Sequence, residues 1–141
     1  MNKVAVVYWS GTGNTEAMAN AVETGAKEKG AEVSVFLPND FDTSKVDEFD
    51  TIAFGCPAMG AEELEDSEFE PMFSMCLPSL KDKRIALFGS YGWGDGEWMR
   101  NWEETCTNAG AVLVAESVIC NDMPDDDATQ QCKALGSALA E

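Results

Sequence analysis

The segment Ser10-Gly11-Thr12-Gly13-Asn14-Thr15 stands between an apolar run, Val4-Ala5-Val6-Val7-Tyr8, and a helical pattern that starts at about Asn14. A strand-to-helix loop built from glycines, hydroxyls and an amide can turn its backbone N–H groups toward one anion at the helix start. The segment holds no Lys or Arg. A phosphate bound there would be neutralised by dipoles, hydrogen bonds and the helix N-terminus rather than by a formal positive charge. A plain turn in which Ser, Thr and Asn cap the helix uses the same residues, so the loop alone leaves both readings open.

The rest of the chain alternates in the same way between apolar runs and amphipathic stretches, the pattern of an α/β layer structure around a parallel sheet. Val4–Tyr8, Thr51–Gly55 and Arg84–Gly89 read as central strands, apolar on both faces. Ala31–Leu37, in which Val33, Val35 and Leu37 alternate with Glu32, Ser34 and Phe36, reads as a strand nearer an edge. Ala111–Cys120 supplies a fifth strand, interrupted near Ala115-Glu116-Ser117. A first helix is expected over about 14–29, with Met18, Ala19, Val22 and Ala26 on one face and Gly30 as its stop. Further helices are expected over about 68–77, 97–109 and 125–140.

Composition narrows the function classes. A chain of 141 residues is the size of one ordinary domain, expected here over 1–141. No signal peptide and no apolar run of membrane-spanning length are read, so no membrane partner is expected. The 5 cysteines, Cys56, Cys76, Cys106, Cys120 and Cys132, are scattered, form no C-x-x-C pair and meet no histidine that would complete a zinc site. They read as buried thiols of a reducing cytoplasm. With 26 acidic against 9 basic residues the formal charge is −17, which excludes a nucleic-acid backbone as partner and favours basic ones.

In a doubly wound sheet, ligands bind outside the carboxyl ends of the strands. Three loops fall at that edge: Ser10–Thr15, then Cys56-Pro57-Ala58-Met59-Gly60-Ala61-Glu62 after the third strand, then Ser90-Tyr91-Gly92-Trp93-Gly94-Asp95-Gly96 after the fourth. Met59, taken alone, reads as a loop side chain folded back on the core. Trp93, flanked by Gly92 and Gly94, is hard to explain as core packing and reads as a ring that a flat ligand would cover.

Together the three loops resemble the flavodoxins, specifically the short-chain bacterial kind. S-G-T-G-N-T, A-M-G-A-E and G-S-Y-G-W-G-D-G follow the first, third and fourth strands in the order and spacing of that family, and the resemblance runs from Asn2 to Glu141. It implies a flavodoxin-like α/β fold: a doubly wound five-stranded parallel sheet of order 2-1-3-4-5, with helices on both faces. It also implies non-covalently bound FMN. The phosphate would be held by Ser10, Thr12, Asn14, Thr15 and the amides of Gly11 and Gly13. Met59 would lie on the inner face of the isoalloxazine and Trp93 on the outer face. Backbone around Gly60, Ala61 and Glu62 would meet the N5 and N3 edge, its 59–60 carbonyl turning toward N5 when that atom gains a proton. Ser90, Tyr91 and Gly92 would border the pyrimidine and ribityl side, with Pro57, Ala58 and Gly94 completing the loops. Pro57 stands where some relatives carry a hydroxyl that reaches the phosphate. Trp9 and Asn121 are left unassigned.

The activity so implied is that of a low-potential one-electron carrier, a monomer that shuttles electrons between redox proteins with basic docking faces. Reduction places an anion on the flavin, and carboxylates such as Glu62, Glu63, Glu65, Asp66, Asp95 and Glu97 would oppose it. Glu62–Glu70 is expected to serve docking, whereas Asp125-Asp126-Asp127 suits the start of the last helix. The alternative is a flavin-dependent quinone reductase or an activator of a dedicated enzyme. Other classes fit less well. A phosphoreceiver domain needs an acidic pair after strand one, where Ser10-Gly11 stands, and a dinucleotide fingerprint needs a third glycine, where Glu16 stands.

Overall fold

A computed structural model describes residues 2–59, 63–92 and 94–141. The elements run β1 (Lys3–Tyr8), α1 (Asn14–Glu28), β2 (Glu32–Phe36), α2 (Thr43–Val46), β3 (Thr51–Gly55), α3 (Phe69–Cys76), β4 (Arg84–Tyr91), α4 (Glu97–Asn108), β5 (Val112–Leu113), β6 (Val118–Asn121) and α5 (Asp126–Leu139). The paired strands of the sheet run parallel, in the order β2-β1-β3-β4-β5, with β6 also on β4. The expected doubly wound order and the edge position of β2 are therefore observed.

The fifth strand is broken where the sequence placed the interruption. β5 pairs with Arg84 and Ile85, while β6 pairs with Phe88 through Tyr91 on the same neighbour. Between them Ser117 Oγ donates to Glu103 Oε2 at 2.7 Å, so polar side chains replace ladder bonds at the break.

Alternation along the central strands divides the core in two. Ala5, Val7, Ile52, Phe54, Ile85 and Leu87 face a layer from α3 and α4 that contains Phe69, Phe73, Trp98 and Trp102. Val4, Val6, Ala53, Ala86 and Phe88 face α1 and α5, through Met18, Val22, Cys132, Leu135 and Leu139. These last two helices cross closely: a Cβ on Gly25 would lie 2.0 Å from the Lys133 carbonyl oxygen, and one on Gly136 would lie 2.0 Å from that of Val22.

Element ends differ from the expectations for local reasons. The helix expected to run to residue 77 stops at Cys76 and continues as a 3-10 turn over Leu77–Leu80, because Pro78 cannot donate a helical hydrogen bond. β4 runs on to Tyr91, two residues past the expected end, since β6 supplies partners there. α5 starts at Asp126, with Asp125 accepting from the Ala128 amide at 2.8 Å as its cap. The short helix α2, which is not among the helices expected from sequence, is capped by Asp42, whose carboxylate accepts from Ser44 N and Ser44 Oγ.

Candidate flavin site

The site lies at the carboxyl edge of the sheet, where the chain leaves β1 toward one side and β3 toward the other. The loop after β1 is held from below: Trp9 N donates to the Gly55 carbonyl at 3.0 Å. Ser10 Oγ accepts from Gly13 N at 3.0 Å, which folds the loop back on itself. Gly13 sits at the N-cap of α1 with φ 95°, in the left-handed region that favours glycine, and carries no side chain to cap the helix. Among the described residues the first amide of α1, Asn14 N, meets only a long contact, to Thr12 Oγ1 at 3.5 Å. Ser10 and Thr12 add hydroxyls there, Thr12 being exposed.

Thr15 turns inward. Its Oγ1 lies 3.4 Å from Ser90 Oγ, and the two residues are 1% and 4% exposed. This contact ties the first turn of α1 to the end of β4. Beside it, Asp122 N donates to the Tyr91 carbonyl at 2.8 Å, with Asp122 itself at φ 58°.

These elements enclose a cleft of about 350 Å³ lined by Trp9, Gly11, Thr12, Asn14, Pro57, Ala58, Met59, Ser90, Tyr91, Gly92 and Asp122. That volume falls within the roughly 300–1,000 Å³ typical of small-molecule sites. Nine of the site residues named from sequence are brought together here. Ser10 and Gly13 line the adjoining hollow with Tyr8, Trp9 and Glu16. Thr15 lies beneath, bonded to Ser90. Gly94 is outside the lining, and Gly60, Ala61, Glu62 and Trp93 lie outside the described residues. Met59 is 39% exposed and lines the cleft, so it is not folded back on the core.

Two residues add to the sequence reading. Trp9, which it left unassigned, lines the cleft, whereas its other unassigned residue, Asn121, pairs with Tyr91 in the sheet and the next residue, Asp122, faces the cleft instead. The signal for Asp122 was the Asn121-Asp122 dipeptide after a strand, since Asn and Asp tolerate the left-handed region. No Lys or Arg is among the lining residues of the cleft or of the adjoining hollow. The residues present therefore fit a flavin phosphate held by amides and hydroxyls, with an exposed thioether above an apolar wall for the ring.

A larger cleft of about 450 Å³ lies between α3 and α4, on Phe73, Trp98 and Trp102. Glu63, Asp66 and Glu70 border it, which disfavours an anion there.

Residues 6–136 match the family model described as flavodoxin. The chain belongs to the flavodoxin family. It is 49% identical over 138 residues to the flavodoxin of Megasphaera elsdenii, covering 98% of each chain. It is 44% identical over 135 residues to that of Clostridium beijerinckii, covering 96% of this chain and 97% of the relative. The solution structure of two-electron reduced Megasphaera elsdenii flavodoxin superposes with a TM-score of 0.90 at 50% identity, covering 97% of this chain and 98% of that one. As a flavodoxin the chain is an FMN-binding electron-transfer protein rather than an enzyme. Among the described residues no helix is long and apolar enough to cross a membrane.

Within the acidic segment Glu62–Glu70, which is expected to serve docking, Glu65 departs from the expectation: it is only 6% exposed. Its Oε1 accepts from the amides of Glu68 and Phe69, and its Oε2 from that of Ser67, each at 2.8 Å. Burial pushes this carboxyl up, but those amides outweigh burial and hold it below its ordinary value of 4.5. Glu65 is a helix cap. Glu63, Asp66, Glu68 and Glu70 remain exposed.

Proposed function

We propose that this flavodoxin is a low-potential one-electron carrier in which the Ser10–Thr15 loop holds the FMN phosphate and Met59 and Trp93 flank the ring. The supporting observation is the cleft and its adjoining hollow, where, among the described residues, hydroxyls, a left-handed Gly13 and the exposed Met59 come together without a cation. Bound FMN supplies a ring that takes electrons one at a time. The chain's residues set where it sits and how readily it accepts them. In this reading Ser10, Thr12 and Asn14 orient the phosphate, Thr15 anchors their helix from beneath through Ser90, Pro57 and Ala58 wall the ring, and Ser90, Tyr91, Gly92 and Gly94 border its other side. Gly60, Ala61 and Glu62 offer backbone to the N5 and N3 edge.

The low potential follows from charge. A carboxylate about 10 Å from the ring at an effective dielectric of about 20 opposes an added electron by roughly 1.7 kcal/mol, or about 70 mV. Solvent screening removes about half of that for exposed groups. The uncompensated phosphate and the exposed Glu63, Asp66 and Glu97 act in the same direction, whereas Asp95 is paired with Arg100 at 3.1 Å and acts less. The same charge selects partners: redox proteins with basic docking faces, met by a monomer. The 5 cysteines are all free and buried, which suits a reducing cytoplasm.

Denaturing the purified protein tests the reading. Release of FMN supports it, and release of FAD overturns it. A second arm compares Thr12→Ala for binding of FMN and riboflavin: selective weakening of FMN is expected, and equal weakening places the phosphate elsewhere.

A further inference from the structure

The cleft between α3 and α4 has an aromatic floor. Phe73 and Leu77, on successive turns at the end of α3, meet Trp98 and Trp102 on successive turns of α4, with Leu64 at the rim. Trp98 satisfies its indole N–H on the Cys56 carbonyl at 3.2 Å. Trp102 does not. Among the described residues its Nε1 is the one buried side-chain polar atom without a hydrogen-bond partner, and Trp102 is only 3% exposed. Phe69 and Phe73 hold its ring edge-to-face at centroid distances of 5.5 and 5.6 Å and bring no oxygen. A buried donor without an acceptor carries its full desolvation penalty, so an acceptor delivered there gains more than an ordinary hydrogen bond.

The rim is acidic. Glu63, Asp66 and Glu70 are exposed around it, and among the described residues no Lys or Arg lines the cleft. Ser74 Oγ donates to Glu70, and Thr105 Oγ1 to the Asn101 carbonyl, so the hydroxyl protons of the rim are used within the chain. Such a rim repels an anion, and a fully polar cation gains nothing from an apolar floor. The combination fits an apolar side chain with cationic neighbours. Two contacts set the cleft beside the flavin cleft. Met59, which lines the flavin cleft, and Glu63, which lines this one, exchange backbone hydrogen bonds of 2.8 and 2.9 Å. The ring of Tyr91, in the flavin cleft, stands 5.5 Å from that of Trp98, in this one.

We propose that the α3–α4 cleft anchors the basic redox partner. It takes one apolar side chain of that protein, with flanking Lys or Arg on Glu63, Asp66 and Glu70 and a main-chain carbonyl of the same segment on Trp102 Nε1. The proposal rests on the FMN-carrier reading and adds a fixed pose to it. Surface charge speeds encounter, whereas an apolar anchor desolvated in a pocket holds one orientation. Seated here, the partner stands beside the flavin cleft, across the Trp98 and Tyr91 rings. Trp102 is nearly covered before binding, so Leu64 and Leu77, both half-buried, change rotamer to admit the carbonyl.

The test uses the FMN-loaded protein with labelled indole nitrogens, and acetylated, amidated tripeptides as probes: Lys-Leu-Lys, Lys-Ser-Lys and Glu-Leu-Glu. Trp102→Phe identifies the Trp102 indole signal by its loss. Lys-Leu-Lys is expected to shift that signal saturably, with Trp9 in the flavin cleft moving less. By calorimetry it should bind about tenfold more tightly than either other peptide. Asn101→Lys, an exposed change at the rim, should weaken it about tenfold. Trp102→Phe keeps an aromatic ring without the donor and should weaken it about threefold. The bound peptide should also slow reduction of the flavin by a basic redox protein and leave reduction by dithionite unchanged.

Equal affinity for Lys-Leu-Lys and Lys-Ser-Lys would reduce the site to surface charge and overturn the anchor. An unmoved Trp102 signal overturns it too, as does a basic redox protein that reduces the flavin as fast with the peptide bound. Wild-type affinity in Trp102→Phe overturns the placement of the carbonyl. In all of these the protein still releases FMN on denaturation, and the carrier reading stands. Protein that releases no FMN overturns that reading and this proposal with it, whatever the tripeptides do.

Discussion

Thr15 Oγ1 and Ser90 Oγ face each other across 3.4 Å of buried space, joining the first turn of α1 to the end of β4. Either hydroxyl can be the donor, so removing one leaves the other without its partner. Thr15→Val is expected to cost about 1–3 kcal/mol of apoprotein stability. Thr15→Val/Ser90→Ala should cost less than the sum of the single changes, because the interaction is lost only once. Thr12, exposed on the same loop, should behave differently: Thr12→Ala leaves stability within about 0.5 kcal/mol of wild type. Urea unfolding of the apoproteins beside FMN titration separates the two roles. Equal stability losses for Thr12→Ala and Thr15→Val would contradict the assignment.

Gly13 and Gly30 provide a matched pair for the loop backbone. Both adopt left-handed φ, 95° and 91°, and a Cβ on either would meet nothing within 4 Å. Alanine at each position is therefore expected to cost about 1–2 kcal/mol from backbone strain alone. Only Gly13→Ala should also weaken FMN binding, since only Gly13 belongs to the loop proposed to cradle the phosphate. If both variants bind FMN like wild type, the Gly13 conformation is not part of the cradle.

The parts of this molecule that were legible in its sequence are those where one residue pattern admits one structure. Val4–Tyr8 and Thr51–Gly55 could be buried on both faces only in the middle of a covered sheet. The Ser117 break in the fifth strand showed because a glutamate and a serine interrupt an apolar run. By contrast α2, at 4 residues, is too short to display a helical period, and its cap, Asp42, looks like any loop aspartate. Glu65 was hidden for the opposite reason. It stands in a run of acidic residues that are otherwise exposed, and burial of one carboxylate among several leaves no mark on composition. The site followed the same rule: the glycine and hydroxyl loop announced itself, while the inward turn of Thr15 depends on a residue 75 positions away.

Glu65 also makes a prediction about acid. Its folded-state value lies below the ordinary 4.5, so its contribution to stability is fully present above about pH 4.5 and is lost as pH falls through the folded value. Glu65→Gln is expected to be less stable than wild type by about 1.5–3 kcal/mol at neutral pH, the scale of hydrogen bonds to a charged group. The gap should shrink progressively below pH 4.5. Chemical unfolding of both proteins from neutral pH into the acid range measures it. A gap that stays constant through that range would mean the amides hold the protonated acid as well as they hold the carboxylate.

The buried state of Glu65 sharpens the test of docking. Lysine there would break a helix cap, and any slowing of electron transfer would be uninterpretable. The informative reversals are Glu63→Lys and Asp66→Lys, both exposed and both bordering the cleft between α3 and α4. Asp125 is likewise excluded from the control because it caps α5, leaving Asp126→Lys and Asp127→Lys as the exposed comparison. With a basic electron donor, the wild-type rate should fall by about tenfold or more as ionic strength rises, because the screening length shrinks from about 30 Å at 0.01 M to about 8 Å at 0.15 M. Glu63→Lys/Asp66→Lys should slow the low-salt rate and flatten its salt dependence while FMN stays bound. Asp126→Lys/Asp127→Lys should change both much less if the contact is made by the β3–α3 connection. A larger effect from the second pair would move the docking face to the start of α5, away from the β3–α3 connection.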